Sequence, residues 1–236
     1  MERGAWRQIF AIGGGAFAER EGPLLAEHVL SLARGERPKV CFIPTAGGDS
    51  PDGIVAFYRL MWQFPCVPFD LQLFPRTVTD LRGFVLAQDV LWVGGGSTAN
   101  MLAVWRVHGL DEILREAYEQ GIVLTGSSAG MNCWFEASVT DSFSPTELAG
   151  LDDGLGFLEG SACPHFDGEP LRRPTYHRLV ADGFPPGIAA DDHVGVHYVD
   201  ERLEQVVSAR PGATAYRVEA RDGGATETPL DAVELT

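Results

Sequence analysis

Five consecutive residues, Gly126-Ser127-Ser128-Ala129-Gly130, fit the pattern G-x-S-x-G. A serine hydroxyl is a weak nucleophile. It attacks a carbonyl only when a sharp turn exposes it, a base takes its proton and amides receive the developing negative charge. The apolar run at 122–124 predicts a strand before the motif, and 131–135 predicts a helix after it. The small neighbours of Ser128 permit a tight strand-to-helix turn that lifts its hydroxyl clear of the backbone. Ser127 and Cys133 are weaker nucleophiles, because Ser127 is not the central residue and Cys133 falls inside the expected helix.

A second feature is Gly94-Gly95-Gly96-Ser97-Thr98-Ala99, a glycine loop at the end of another expected strand. Exposed amides at such a strand end suit an oxyanion, so Gly96 and Ala129 form a candidate two-donor hole. Gly13-Gly14-Gly15-Ala16-Phe17-Ala18 has the same G-x-G-x-x-A form. Dinucleotide binding needs an acid at the end of the next strand. The next strands end in Ile43-Pro44-Thr45 and Leu124-Thr125-Gly126, without one, so no nucleotide cofactor is expected. The 13–15 loop reads as a tight turn between sheet and helix.

A base must come from six histidines. His28 and His108 lie on amphipathic stretches and read as surface residues, and His177 reads as a helix-face residue. His165 stands where an apolar segment meets a turn, in Pro164-His165-Phe166-Asp167. His193 and His197 form H-x-x-x-H on a β-like segment without the glutamate of the zinc-protease motif, so no metal is expected. For an acid, Asp191 and Asp192 follow an apolar strand end. Adjacent carboxylates are rarely both buried, so one should face a histidine and the other solvent.

Short apolar runs alternate with longer amphipathic ones, which favours an α/β fold: a mostly parallel central sheet flanked by helices. Strands are expected at 8–12, 40–43, 69–73, 89–93 and 122–125, and helices at 24–33, 54–62, 99–107, 110–119 and 172–182. Residues 131–137 suggest a short helix, and 140–160 an excursion. Alternation at 194–199, 204–208 and 213–218 suggests a small meander completing the sheet or covering one edge. No linker or repeat divides the 236 residues, so one domain spans 1–236.

Apolar residues make up 45% and charged residues 22%, ordinary values for a globular chain. A net charge of −15 argues against nucleic-acid and membrane-surface partners, and an anionic ligand would need a local arginine cluster. The opening Met1-Glu2-Arg3-Gly4-Ala5-Trp6-Arg7 lacks the apolar core of a signal peptide, and no run of 18 apolar residues occurs. A cytoplasmic location follows as the expectation. Cys41, Cys66, Cys133 and Cys163 then read as reduced thiols, mostly buried. Trp62 and Phe64 fit either a homodimer face or a core helix.

The three motifs, in this order, resemble the S51 serine peptidases: peptidase E (aspartyl dipeptidase) and its cyanophycinase-like relatives. Val93-Gly94-Gly95-Gly96-Ser97-Thr98 is similar to the family's V-G-G-G-N-T loop, 126–130 to its G-x-S-A-G elbow, and Pro164-His165-Phe166 to its P-H-F/Y motif. The resemblance spans about residues 8–216. It implies a flavodoxin-like three-layer sandwich related to class I glutamine amidotransferases, with no cofactor. It also implies a triad of Ser128, His165 and Asp192, oxyanion amides from Gly96 and Ala129, and a short peptide substrate with N-terminal Asp. Asp141 matches a family position, and Arg172 or Arg173 would read the substrate carboxylate. Two departures stand out: Ser97 replaces the loop Asn, and Asp192 replaces a Glu.

Three other readings stand beside this one. A cyanophycinase- or isoaspartyl-type peptidase would share the triad. An α/β-hydrolase esterase would order its triad Ser, acid, His, using Asp167 with His193 or His197. A non-catalytic binding protein would keep the elbow as a relic of the fold.

Overall fold

The computed structural model describes residues 6–18 and 20–236; Met1 to Ala5 of the polar opening segment lie outside them. The first half runs β1 (Gln8–Ile12), α1 (Gly22–Leu32), β2 (Lys39–Ile43), α2 (Pro51–Met61), β3 (Val67–Asp70), α3 (Leu81–Leu86), β4 (Val90–Val93), α4 (Thr98–His108) and α5 (Leu110–Glu119). It continues with β5 (Val123–Ser127), α6 (Ala129–Asn132), β6 (Phe135–Thr140), β7 (Ala149–Leu151), β8 (Leu158–Cys163), α7 (Arg172–Ala181) and β9 (Gly187–Ala190). The chain closes with β10 (Val194–Val199), β11 (Arg202–Ser208), β12 (Ala215–Arg221), β13 (Gly224–Pro229) and β14 (Ala232–Glu234).

Eight strands form the central sheet in the order β14-β11-β10-β1-β5-β4-β2-β3. From β1 to β3 every neighbouring pair is parallel, as the alternating pattern predicts. Strands of this kind are covered on both faces, and their sequences are apolar throughout rather than alternating. In β1, Ile9 and Ala11 belong to one buried cluster with α4 and α5, while Phe10 and Ile12 belong to another with α1 and α2. Residues of β2 and β4 divide between the faces in the same way. The result is a layered α/β sandwich.

The C-terminal half departs from the sequence expectation. Residues 131–137 do not form one helix. The helix ends at Asn132 and a strand begins at Phe135. A short apolar run with little periodicity fits a buried helix or a buried strand equally well, and here strand pairing decides. That strand starts a second sheet, in the order β13-β12-β9-β8-β6-β7. The expected meander is split: β10 extends the central sheet antiparallel to β1 and β11 follows antiparallel to β10, while β12 joins the second sheet. Val139, Cys163, Tyr176, Val180 and Ala189 pack α7 against that second sheet.

All four cysteines are buried and free. Trp62 at the end of α2 is 75% exposed, whereas Phe64 packs against the cluster under α1 and α2. No described helix is long and apolar enough to cross a membrane.

His28 is half-buried rather than a surface residue, and it packs on Phe10 beside His197. His197 is cross-strand from Phe10, and its Nε2 lies 3.1 Å from Gln8 Oε1. Burial, with His28 adding to it, pushes the His197 imidazole down to about 4. A histidine depressed in the folded state stabilises fully above its unfolded pKa near 6.5 and loses that contribution as pH falls toward 4. Thermal melts should therefore show a loss on the order of 2–3 kcal/mol across this window. In His197→Gln, which is neutral throughout, that acid-side slope should flatten.

Candidate active site

The ends of three adjacent parallel strands, β1, β5 and β4, carry the residues that the motifs single out. Such strand ends are the usual ligand crevice of an open α/β sheet. At the end of β5, Ser128 has φ 58° and ψ −112°, a conformation that non-glycine residues seldom adopt. Strain at one residue in a tight turn is the local signature of a nucleophile elbow. The flanking glycines are required by contact. A Cβ on Gly126 would lie 2.7 Å from the Val93 carbonyl oxygen, and one on Gly130 would lie 2.4 Å from the same atom. Ser127 is buried in β5, and Ser128 is part-exposed above it. Cys133 is fully buried, and burial pushes its thiol well up, so it is an inert rival.

The 94–96 loop leaves β4 beside the elbow. A Cβ on Gly95 would sit 3.3 Å from Ser128 Cβ, so this loop covers the hydroxyl closely. Gly96 has φ +134°, and a side chain there would strike the Ala46 carbonyl. Among the described residues neither the Gly96 nor the Ala129 amide donates to a protein acceptor. Ser97 caps α4, its Oγ accepting from the Asn100 amide at 3.4 Å.

His165 and Asp192 come from the second sheet, following β8 and β9. His165 Nδ1 lies 2.7 Å from Asp192 Oδ1. The Nδ1–H therefore donates to the carboxylate, which leaves Nε2 as the basic nitrogen. The His165 hydrogen bond holds the Asp192 carboxyl below its usual range, against an opposing effect of burial. Asp191 is the more buried of the pair, 3% exposed, yet it turns away and accepts from the Thr214 amide at 3.1 Å. The half-exposed Asp192 is the one that meets the histidine. His165 also has positive φ, 54°, a backbone conformation that non-glycine residues seldom adopt.

The 13–15 loop has more to do than its reading as a turn suggests. The Ser128 amide donates to Ile12 O at 3.1 Å, the His165 amide to Gly13 O at 3.2 Å and the His193 amide to Gly14 O at 3.0 Å. A Cβ on Gly14 would fall 2.0 Å from Asp192 Oδ1 and 2.5 Å from His165 Nδ1. This loop is the seat of the His165–Asp192 pair, and Ile12 at the end of β1, just before it, holds the elbow amide. Three consecutive glycines exceed what a plain turn requires, and that excess is the signal in the sequence. No hydrogen bond joins Ser128 Oγ to His165 among the described residues; such contacts are commonly long before substrate binds.

Other predicted residues are committed elsewhere. Arg172 is buried, 3% exposed at its side chain. Its Nε donates to Glu169 at 2.7 Å and its NH1 to Val139 O at 3.0 Å, and Asp141 stands 4.0 Å away. Arg173 donates to Glu227 at 2.8 Å and lies over the Phe166 and Tyr216 rings. His193 packs against Gly15, and neither it nor His197 is hydrogen-bonded to Asp167.

The arrangement unites an exposed, strained serine, two amides without protein acceptors, and an imidazole oriented by a carboxylate. Those are the parts that acyl transfer through a serine requires.

Comparison with known proteins follows the same lines. The chain is 47% identical over 226 residues to the uncharacterized peptidase YgaJ of Bacillus subtilis (strain 168), covering 95% of this chain and 97% of that one. A candidate peptidase E protein from Listeria monocytogenes EGD-e shares the fold with a TM-score of 0.63 at 14% identity, over 96% of this chain and 100% of that one. A peptidase from an acI-B1 Actinobacterium does so with a TM-score of 0.70 at 18% identity, over 98% and 96%. With the Peptidase family S51 model matching residues 9–206, the chain belongs to peptidase family S51.

Proposed function

We propose that the protein is a serine exopeptidase of short peptides, working through Ser128, His165 and Asp192 and an acyl-enzyme. The observation that carries this reading is the His165–Asp192 contact of 2.7 Å, seated on the glycine loop that follows β1, whose last residue Ile12 accepts from the Ser128 amide. Ser128 Oγ attacks the scissile carbonyl as His165 Nε2 takes its proton, and the Gly96 and Ala129 amides hold the oxyanion. The same proton passes to the leaving amine. Water, activated by His165, then releases the acyl group and restores Ser128.

The preferred substrate under this proposal is a dipeptide with N-terminal Asp. Of the two arginines, Arg173 is the one whose guanidinium reaches solvent, 42% exposed, and a substrate carboxylate would compete with Glu227 for it. Ser97 Oγ accepts from Asn100 and keeps its proton to donate. The test is release of free amino acids from Asp-Xaa, Glu-Xaa, Asn-Xaa, Ala-Xaa, isoaspartyl and N-blocked Asp-Xaa peptides. Asp-Xaa is expected to be cleaved fastest, with the N-blocked peptide inert. Preference for the isoaspartyl peptide would move the reading to the isoaspartyl class, and cleavage of none would remove the peptide substrate.

A further inference from the structure

We infer that Asp167 and Arg210 form a clamp that positions Asp192 toward His165. This rests on the reading of Ser128, His165 and Asp192 just given. Asp167 lies two residues after His165, and Arg210 lies just beyond β11 in the other sheet.

Asp167 Oδ1 accepts from the Asp192 amide at 2.9 Å. Its other oxygen is ion-paired with Arg210, whose NH2 also reaches the Asp192 carbonyl oxygen at 3.4 Å. Both polar groups of the Asp192 backbone are thereby held by one ion pair. Two α-carbons close the cradle around the side chain. A Cβ on Gly14 would fall 2.0 Å from Asp192 Oδ1, and one on Gly168 would fall 2.1 Å from Oδ2. The backbone is pinned, a glycine flanks each oxygen, and Oδ1 meets His165 Nδ1 at 2.7 Å.

The pair is built for position more than for stability. Both partners are partly exposed, at 29% for Asp167 and 38% for Arg210, and ion pairs in such settings contribute little to folding. A sub-ångström drift of Asp192 would still be felt in catalysis, because the imidazole it orients must meet the serine in line. Asp192 replaces the glutamate of its relatives' pattern and is one methylene shorter, so its backbone position matters more. The clamp also spans the sheets, holding residues that follow β8, β9 and β11 to one another.

The test uses the full chain with Asp167→Ala, Asp167→Asn and Arg210→Ala. Three quantities are followed: kcat and KM on the best dipeptide, melting temperature, and the downfield proton resonance of His165 Nδ1–H, identified by its absence in His165→Ala. Asp167→Ala is expected to lower kcat on the order of 10- to 100-fold, leave KM within about twofold, and shift or broaden the resonance. Asp167→Asn keeps an acceptor oxygen for the Asp192 amide and should recover most of the rate. Arg210→Ala should fall between the two, with a melting temperature near that of the unmodified protein.

Unchanged kcat and an unchanged resonance in Asp167→Ala would overturn the clamp. If that variant does not fold, the same pair of results in Arg210→Ala overturns it. The resonance needs no turnover. Should the unmodified protein cleave no peptide, the peptidase proposal fails and the resonance alone decides the clamp.

Discussion

Ser128→Ala is expected to reduce peptide hydrolysis by a factor on the order of 10⁴ to 10⁶, the scale seen when a serine nucleophile is removed from a triad. It should also abolish covalent labelling by a fluorophosphonate, in which the serine oxygen displaces fluoride from phosphorus. The backbone at 128 already bears its unusual φ of 58° with a Cβ present, so alanine adds no new strain. Melting temperature should therefore stay near that of the unmodified protein. The contrast is Ser127→Ala. Ser127 is buried in β5 one residue earlier, and its loss should leave labelling intact. Retained labelling in Ser128→Ala would remove Ser128 from the role of nucleophile.

Gly14→Ala should be severely damaging, because its methyl strikes the His165–Asp192 pair itself. Unlike Gly15 and Gly96, Gly14 does not have a backbone conformation reserved for glycine, so alanine meets no dihedral penalty there. All of the cost comes from what the methyl strikes. It would lie 2.0 Å from Asp192 Oδ1 and 2.5 Å from His165 Cε1 and Nδ1, so the pair must separate or tilt. A displacement of that size should lower kcat/KM by at least about 100-fold. Circular dichroism should be unchanged, because the central sheet needs no side chain at 14. Activity within a few-fold of the unmodified enzyme would show that the His165–Asp192 geometry is not what limits the rate.

Much of the central sheet and its helices is legible from pattern alone. Strands β1 and β10 and helix α5 run over the residues expected of them, because each is a clean apolar run or a clean amphipathic repeat bounded by glycine or polar residues. The G-x-S-x-G elbow is legible too, since its glycines answer to contacts within a few residues and one strand away. The second sheet is not. Its strands β6, β7 and β8 are not clean apolar runs, since a glutamate interrupts β6 and glycines interrupt β7 and β8, so their local sequence does not distinguish strand from excursion. The acid is legible as a pair, but burial arguments alone do not say which member meets the histidine. Asp191 is the buried carboxylate and is satisfied by the Thr214 amide, while Asp192 meets the histidine. The arginines show the same limit. A helix start gives no hint that Arg172 is enclosed by Glu169 and the Val139 carbonyl.

Asp191, Asp192 and His193 form the link between β9 in the second sheet and β10 in the central one. The serine belongs to one sheet, the histidine follows a strand of the other, and the aspartate stands on the short bridge between them. A shift of one sheet relative to the other would therefore act on the aspartate directly. Under the proposed mechanism the site is a vernier for the registration of the two sheets: misregistration too small to alter secondary structure would be read out in it as lost turnover.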